Sequence, residues 1–146
     1  MILPDVNLLI HAYNSESAEH ENARKWWESR MAGPEGVGLT WVVVLGFIRI
    51  TTSRRILKNP YPLNEILDIV GEWLELPHYD LVHPGGAHFT HLEGLLRKAG
   101  AAGNLTTDAH LAATAIERGF ILYTSDADFS RFPGLKWRNP LKDGDC

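Results

Sequence analysis

The sequence predicts an α/β fold, with a mainly parallel sheet covered by helices on both sides. Three observations lead there. Short apolar runs alternate with longer helical stretches along the chain, the pattern of βα units. Aspartates follow two of those runs, where a parallel sheet places its ligand site, beyond the carboxyl ends of the strands. At 146 residues, 45% apolar and 22% charged, the chain has the composition and length of one globular domain, residues 1–146.

The elements follow in order. Met1 to Leu3 is a short apolar run that reads as a buried strand ending near Asp5 or Val6. Asn7-Leu8-Leu9-Ile10 opens a helical turn. Ser17 to Met31 reads as a helix, with Ala18, Asn22, Trp26 and Trp27 on one face and its bases mostly late, as the helix dipole prefers. Val37 to Leu39 is a second strand. Trp41 to Thr52 is apolar nearly all round and then basic, which predicts a buried helix with an exposed end; its β-branched residues leave a strand open. Leu63 to Leu76 is an amphipathic helix with Ile66, Leu67, Val70, Trp73 and Leu74 on one face. Tyr79 to Val82 reads as a strand and Ala87 to Ala99 as a helix ended by Gly100. Thr107 to Arg118 reads as a helix with Thr107 as N-cap and Gly119 as C-cap. Phe120 to Thr124 is a strand running into Ser125-Asp126-Ala127-Asp128-Phe129, and a last short strand falls near Leu135 to Trp137.

Composition excludes several functions. The sole cysteine, Cys146, rules out an intrachain disulfide framework, a cysteine zinc cluster and Cys–His nucleophilic chemistry. Gly85-Gly86 and Gly100 to Gly103 match neither nucleotide-binding fingerprint. No stretch is apolar and long enough to span a membrane, and the opening residues lack the basic region of a signal peptide, so the expectation is a soluble, cytoplasmic chain. The net charge of −4 hides an asymmetry: Gly36 to Asn64 and Phe129 to Lys142 hold eight of the 14 basic residues and none of the 18 acidic ones. Local basic segments of this kind can meet phosphates.

Asp5 follows the first strand, Asp126 and Asp128 follow the strand Phe120–Thr124, and Asp108 lies in the first turn of the helix that feeds it. If those strands are neighbours, the aspartates converge. Like charges so placed persist with a cation or with raised pKa values. All-carboxylate ligation suits Mg²⁺ or Mn²⁺ rather than zinc, and such an ion can activate water and neutralise charge on a phosphate. Taken singly, each aspartate is equally well a turn residue or a helix cap.

Asp5-Val6-Asn7, Asn104-Leu105-Thr106-Thr107-Asp108-Ala109-His110-Leu111-Ala112-Ala113, Thr124-Ser125-Asp126-Ala127-Asp128-Phe129 and Trp137-Arg138-Asn139-Pro140-Leu141 together resemble a PIN-domain ribonuclease. The specific likeness is to the VapC toxins of bacterial toxin–antitoxin pairs, in the mycobacterial style, over nearly the whole chain. The resemblance implies a three-layer α/β/α fold and RNA cleavage dependent on Mg²⁺ or Mn²⁺. It also implies inhibition by a small VapB-like antitoxin, and a homodimer. Asp5, Asp108 and Asp126 match the family's catalytic, metal-holding acids, with Asp128 as a supporting ligand and Thr124 or Ser125 as a hydroxyl partner.

The sequence departs from the pattern at one place. Many PIN domains carry a glutamate on the helix after the second strand, and here Gly46 stands in its place, with Glu35 and Glu65 well outside the motif. Asp128 and waters complete the shell, or metal binding is weaker, or activity is reduced. The last keeps a second function open: a catalytically weakened PIN domain acting as an RNA- or partner-binding module. A haloacid-dehalogenase-like phosphatase also places an aspartate after its first strand, but needs a second acid where this chain has Asn7.

Other groups have plainer readings beside functional ones. His88 and His91 have metal-like spacing without a third ligand; surface histidines account for them. His110 could reach the site for proton transfer, although a supporting or surface role fits better, and His11 has no stronger claim. Arg49, Arg54 and Arg55 are candidates to grip RNA phosphates, against the plain reading of dipole-favoured solvated charge. Trp26, Trp27, Trp41 and Trp73 could stack on bases, yet helical spacing favours core or interface burial. Trp137 is expected to pack at the last strand.

Overall fold

The computed structural model describes residues 1–142; Cys146 lies outside them. Five strands, β1 (Ile2–Pro4), β2 (Val37–Thr40), β3 (Tyr79–Val82), β4 (Ile121–Tyr123) and β5 (Trp137–Arg138), form one sheet in the order β3-β2-β1-β4-β5. Every pairing among them is parallel. The helices are α1 (Val6–Tyr13), α2 (His20–Ala32), α3 (Trp41–Thr51), α4 (Leu63–Glu75), α5 (His88–Ala99) and α6 (Leu105–Arg118), with a 3-10 turn at Ala127–Arg131. β1 and β2 are buried at every position, as strands covered on both faces must be. The architecture is the expected three-layer α/β/α arrangement.

The core is aromatic. Trp73 packs against Phe47 from α3 and Trp27 from α2, with ring centroids 4.7 and 5.3 Å away. Aromatic pairs of this kind contribute about 0.5–1.5 kcal/mol each beyond the area they bury. Gly100 and Gly119 close α5 and α6 with φ of 69° and 70°, a left-handed conformation that costs glycine nothing.

The sequence reading needs correction at several elements. α2 begins at His20, because Ser17 folds a turn ahead of it and accepts the Glu19 N–H through Oγ at 3.1 Å. Its buried face is Ala23, Trp26, Trp27 and Arg30, while Ala18 and Asn22 lie exposed. Arg30 is not a solvated end charge. Its guanidinium pairs with Glu35, donates to Tyr123 Oη at 3.1 Å and lies over the Tyr123 and Trp26 rings. α3 is a helix, but it buries only the face of Val43, Val44, Phe47 and Thr51, leaving Leu45 60% exposed. On α4 the buried line is Ile66, Val70 and Trp73; Leu67 and Leu74 stay exposed, because the apolar stripe is wider than the face the sheet covers. α6 starts at Leu105, and Thr107 is not its cap. Backbone turns, Leu105 N–H to Ala102 O and Thr106 N–H to Gly103 O, lead the chain in instead.

Candidate active site

The strand order sets the position of the site. From β1 the chain goes to β2 and β3 on one side, while β4 and β5 lie on the other. The order therefore reverses between β1 and β4, and a parallel sheet opens its ligand crevice at such a switch point. Asp5 leaves β1 there, and its N–H still donates to Tyr123 O at 2.8 Å, extending the ladder one residue past the strand. Asp126 and Asp128 leave β4 on the facing side, and Asp108 in the first turn of α6 completes the group.

Thr124 ties the group together. Its Oγ1 donates to Asp5 Oδ2 at 2.8 Å and accepts from the Asp126 N–H at 3.0 Å and from Asn7 Nδ2 at 3.3 Å. A hydroxyl has one proton and two lone pairs, so all of its capacity is in use. Asp5 Oδ1 accepts the Val6 N–H at 2.7 Å and caps α1, and Asp126 Oδ1 accepts the Asp128 N–H at 2.8 Å. Asp5 and Asp126 thus cap the elements that follow them while lying in the acidic group.

The electrostatics record a crowded group. Burial pushes the Asp5 carboxyl above its ordinary range, against the hydrogen bonds from Thr124 and Val6. Asp108 is raised to about 6, first by burial and then by the charges of Asp5, Asp126 and Asp128. Such repulsion is relieved by a proton or by a cation. Among the described residues no three His, Cys, Asp or Glu side chains form a ready ligating set. The donors are carboxylates, which suit a hard ion such as Mg²⁺ held in part through water. They do not fit a dehydrated, fully caged metal.

The histidines stand aside. His88 Nε2 and His110 Nδ1 share a hydrogen bond of 2.9 Å between α5 and α6, and His11 bonds Ser17 at 2.7 Å. Burial and the neighbouring His88 lower the His110 pKa. Of the basic candidates, only Arg49 lies in α3; Arg54 and Arg55 follow in the turn after Thr51. α3 runs away from the carboxyl edge for its 11 residues, about 15 Å at 1.5 Å per residue, so these arginines are not brought to the acids. Trp26, Trp27 and Trp73 are buried, whereas Trp41 is 47% exposed at the start of α3.

Residues 2–135 match the PIN domain. The chain belongs to this family. Within the PIN domains its relatives are VapC proteins. It is 43% identical over 143 residues to Ribonuclease VapC33 of Mycobacterium tuberculosis, covering 98% of this chain and all of that one. It is 35% identical to Ribonuclease VapC37 of the same organism, over 96% of this chain and 97% of that one. The fold is similar to VapBC2 from Rickettsia felis bound to a promoter DNA fragment, with a TM-score of 0.68 at 16% identity over 95% and 98% of the two chains. It is also similar to VapC20 from M. tuberculosis, a sarcin-ricin loop cleaving toxin, with a TM-score of 0.66 at 19% identity over 93% and 99%.

In this PIN domain Gly46 packs against the start of α1. A Cβ added there would meet Val6 Cγ2 at 3.4 Å, an ordinary contact, one residue from Asp5. A Cβ is thus tolerated at the position where other PIN domains carry a glutamate, against the side chain that follows Asp5. Sequence reasoning placed Arg138 in a basic run and in the closing motif but not among the candidate site residues. It sits exposed at the end of β5, and its carbonyl accepts the Thr124 N–H at 2.9 Å, one strand from Asp126. The available signal was the acid-free run Phe129 to Lys142.

Proposed function

We propose that this chain is an endoribonuclease dependent on Mg²⁺ or Mn²⁺, the toxin of a VapBC-type pair, acting on RNA in the cytoplasm. The convergence of Asp5, Asp108, Asp126 and Asp128 at the β1/β4 switch point, with Asp108 raised to about 6, carries this reading. Asp5, Asp108 and Asp126 would hold the ion, directly or through water, with Asp128 assisting. A bound divalent ion supplies charge neutralisation at the scissile phosphate and lowers the cost of deprotonating water. Thr124 fixes the Asp5 carboxylate so that it need not reorient during the reaction. Asn7 in turn holds Thr124 and reaches the Ser125 N–H. A VapB-like antitoxin is the expected partner, and Leu63, Leu67 and Leu74 on α4 offer exposed apolar surface to such a chain or to a second copy.

The absence of an acid at Gly46 favours a second reading, a weakened PIN domain that binds RNA or a partner without turnover. RNA cleavage by purified protein in Mg²⁺, Mn²⁺ or EDTA, with Asp5→Asn alongside, separates the two. The ribonuclease reading expects cleavage that needs both the ion and Asp5. Robust cleavage by folded Asp5→Asn protein would sink it, and RNA binding without cleavage would install the second reading.

A further inference from the structure

Strand order also fixes what flanks the carboxylates. Across the carboxyl edge, the residues leaving β2, β1, β4 and β5 are Trp41, Asp5, Asp126 with Asp128, and Arg138 at the end of β5 itself. At about 4.8 Å per strand step, Trp41 and Arg138 stand about 15 Å apart with the acids between them.

Trp41 lies off the buried face of its helix. The packing face of α3 is Val43, Val44, Phe47 and Thr51, and Trp41 makes no ring pair among the described residues, unlike Trp26, Trp27 and Trp73. A half-exposed indole beside a nuclease-like mouth offers a π-face to an unpaired base, and such stacking tolerates any sequence. Arg138 offers a guanidinium suited to a phosphate on the other side. Each lies in one of the two acid-free segments, so no neighbour in sequence neutralises the Arg138 guanidinium.

We propose that RNA crosses the sheet edge along this row, with a nucleobase stacked on Trp41 and a phosphate paired with Arg138, so that the backbone between them lies over the carboxylates. The choice of RNA as ligand rests on the ribonuclease reading; the two flanking contacts are new to it. A partner chain seated on Trp41 and Leu45 is the competing occupant; a row with an indole at one end, a guanidinium at the other and carboxylates that take a cation between them fits a polyanion with bases better than it fits a protein face.

Fluorescence anisotropy with a labelled, short, single-stranded RNA of mixed sequence tests this in Ca²⁺, a hard ion able to cover the carboxylates, with binding read at the earliest times so that any cleavage does not obscure it. With base stacking contributing about 1–3 kcal/mol, Trp41→Leu is expected to bind roughly tenfold more weakly with an unchanged salt slope. Trp41→Phe keeps a stacking ring and should stay within about threefold of wild type. Arg138→Ala should weaken binding and reduce the salt slope by about one. Circular dichroism verifies the fold of each variant. Wild-type affinity in Trp41→Leu, or equal loss in Trp41→Phe, overturns the proposal, as does an absence of RNA binding by the wild-type chain. A Trp41→Leu variant with altered sedimentation and unaltered RNA affinity assigns the ring to a protein interface and overturns it too. The expected pattern without any Mg²⁺-dependent cleavage upholds the track and removes the ribonuclease reading.

Discussion

Thr124 is the residue on which the carboxylate group depends. Its hydroxyl is fully used, between Asp5, the Asp126 N–H and Asn7, and the residue is wholly buried. Thr124→Val keeps the shape and removes those bonds, leaving buried polar groups unpaired at a cost of about 1–3 kcal/mol. The denaturation midpoint should fall accordingly. Cleavage should fall by about tenfold or more, the rate equivalent of about 1.4 kcal/mol, while Thr124→Ser should recover most of it. A Thr124→Val enzyme that cleaves like wild type would show that Asp5 needs no holding. From the sequence, Asp5, Asp126 and Asp128 could be read as neighbours in space because residues after adjacent parallel strands meet at one edge. The sequence could not show that Thr124 spends every hydrogen-bonding group it has, since that depends on distances between chain positions 117 and 119 residues apart. Arg30 was hidden for the same reason. Its partner Tyr123 and the ring of Trp26 come together only once α2 lies on the sheet.

At the scale of elements, α3 was legible as an apolar run and α4 by its periodicity, and in both the sequence overstated how much of the helix would be covered. A wide apolar stripe reads the same whether a sheet covers all of it or only Ile66, Val70 and Trp73; the width of the neighbouring layer decides. The most informative element is α3, because Gly46 in its middle faces Val6 with room for a Cβ. Gly46→Glu places a further carboxylate near Asp5. A glycine in a helix interior is less favourable than most residues by about 0.5–1 kcal/mol, so the substitution also firms the helix. Gly46→Gln shares that second effect without the charge. Gly46→Glu is therefore expected to lower the Mg²⁺ concentration for half-maximal cleavage several-fold, with Gly46→Gln remaining near wild type. Equal Mg²⁺ requirements in the two variants would mean that α3 does not face the ion. The turn after α3 carries a separate expectation. Arg54→Ala with Arg55→Ala should flatten the salt dependence of RNA binding if the strand runs that far; an unchanged slope takes both arginines off its path.

For the whole molecule, the aspartate group makes stability depend jointly on pH and on divalent ions. Asp108 in the folded chain holds its proton to about pH 6, against an ordinary 3.8, chiefly through burial and then through Asp5, Asp126 and Asp128. Between those pH values the folded chain binds more protons than the unfolded one, so stability falls as pH rises. Above about 6 both states are ionised and the loss is complete. Asp5 is shifted in the same direction. Glu117, held low by the Gly85 and Ala87 N–H groups, and Glu21, held low by Arg24, act oppositely, but at and below the ordinary glutamate value of 4.5. His110, lowered by burial and His88, works against this up to about its ordinary 6.5, so in EDTA the Asp108 contribution is read as the melting-temperature difference between wild type and Asp108→Asn, which should fall from about pH 4.5 to about pH 6 and then level. A divalent ion takes the place of that proton, so the stabilisation by Mg²⁺ should be small at about pH 5 and grow through about pH 6. Scanning fluorimetry at several pH values, with and without Mg²⁺, reads both effects at once. An Mg²⁺ shift of the same size at about pH 5 and about pH 7 would place the ion somewhere other than these carboxylates, and the metal-dependent reading of the site would fall with it.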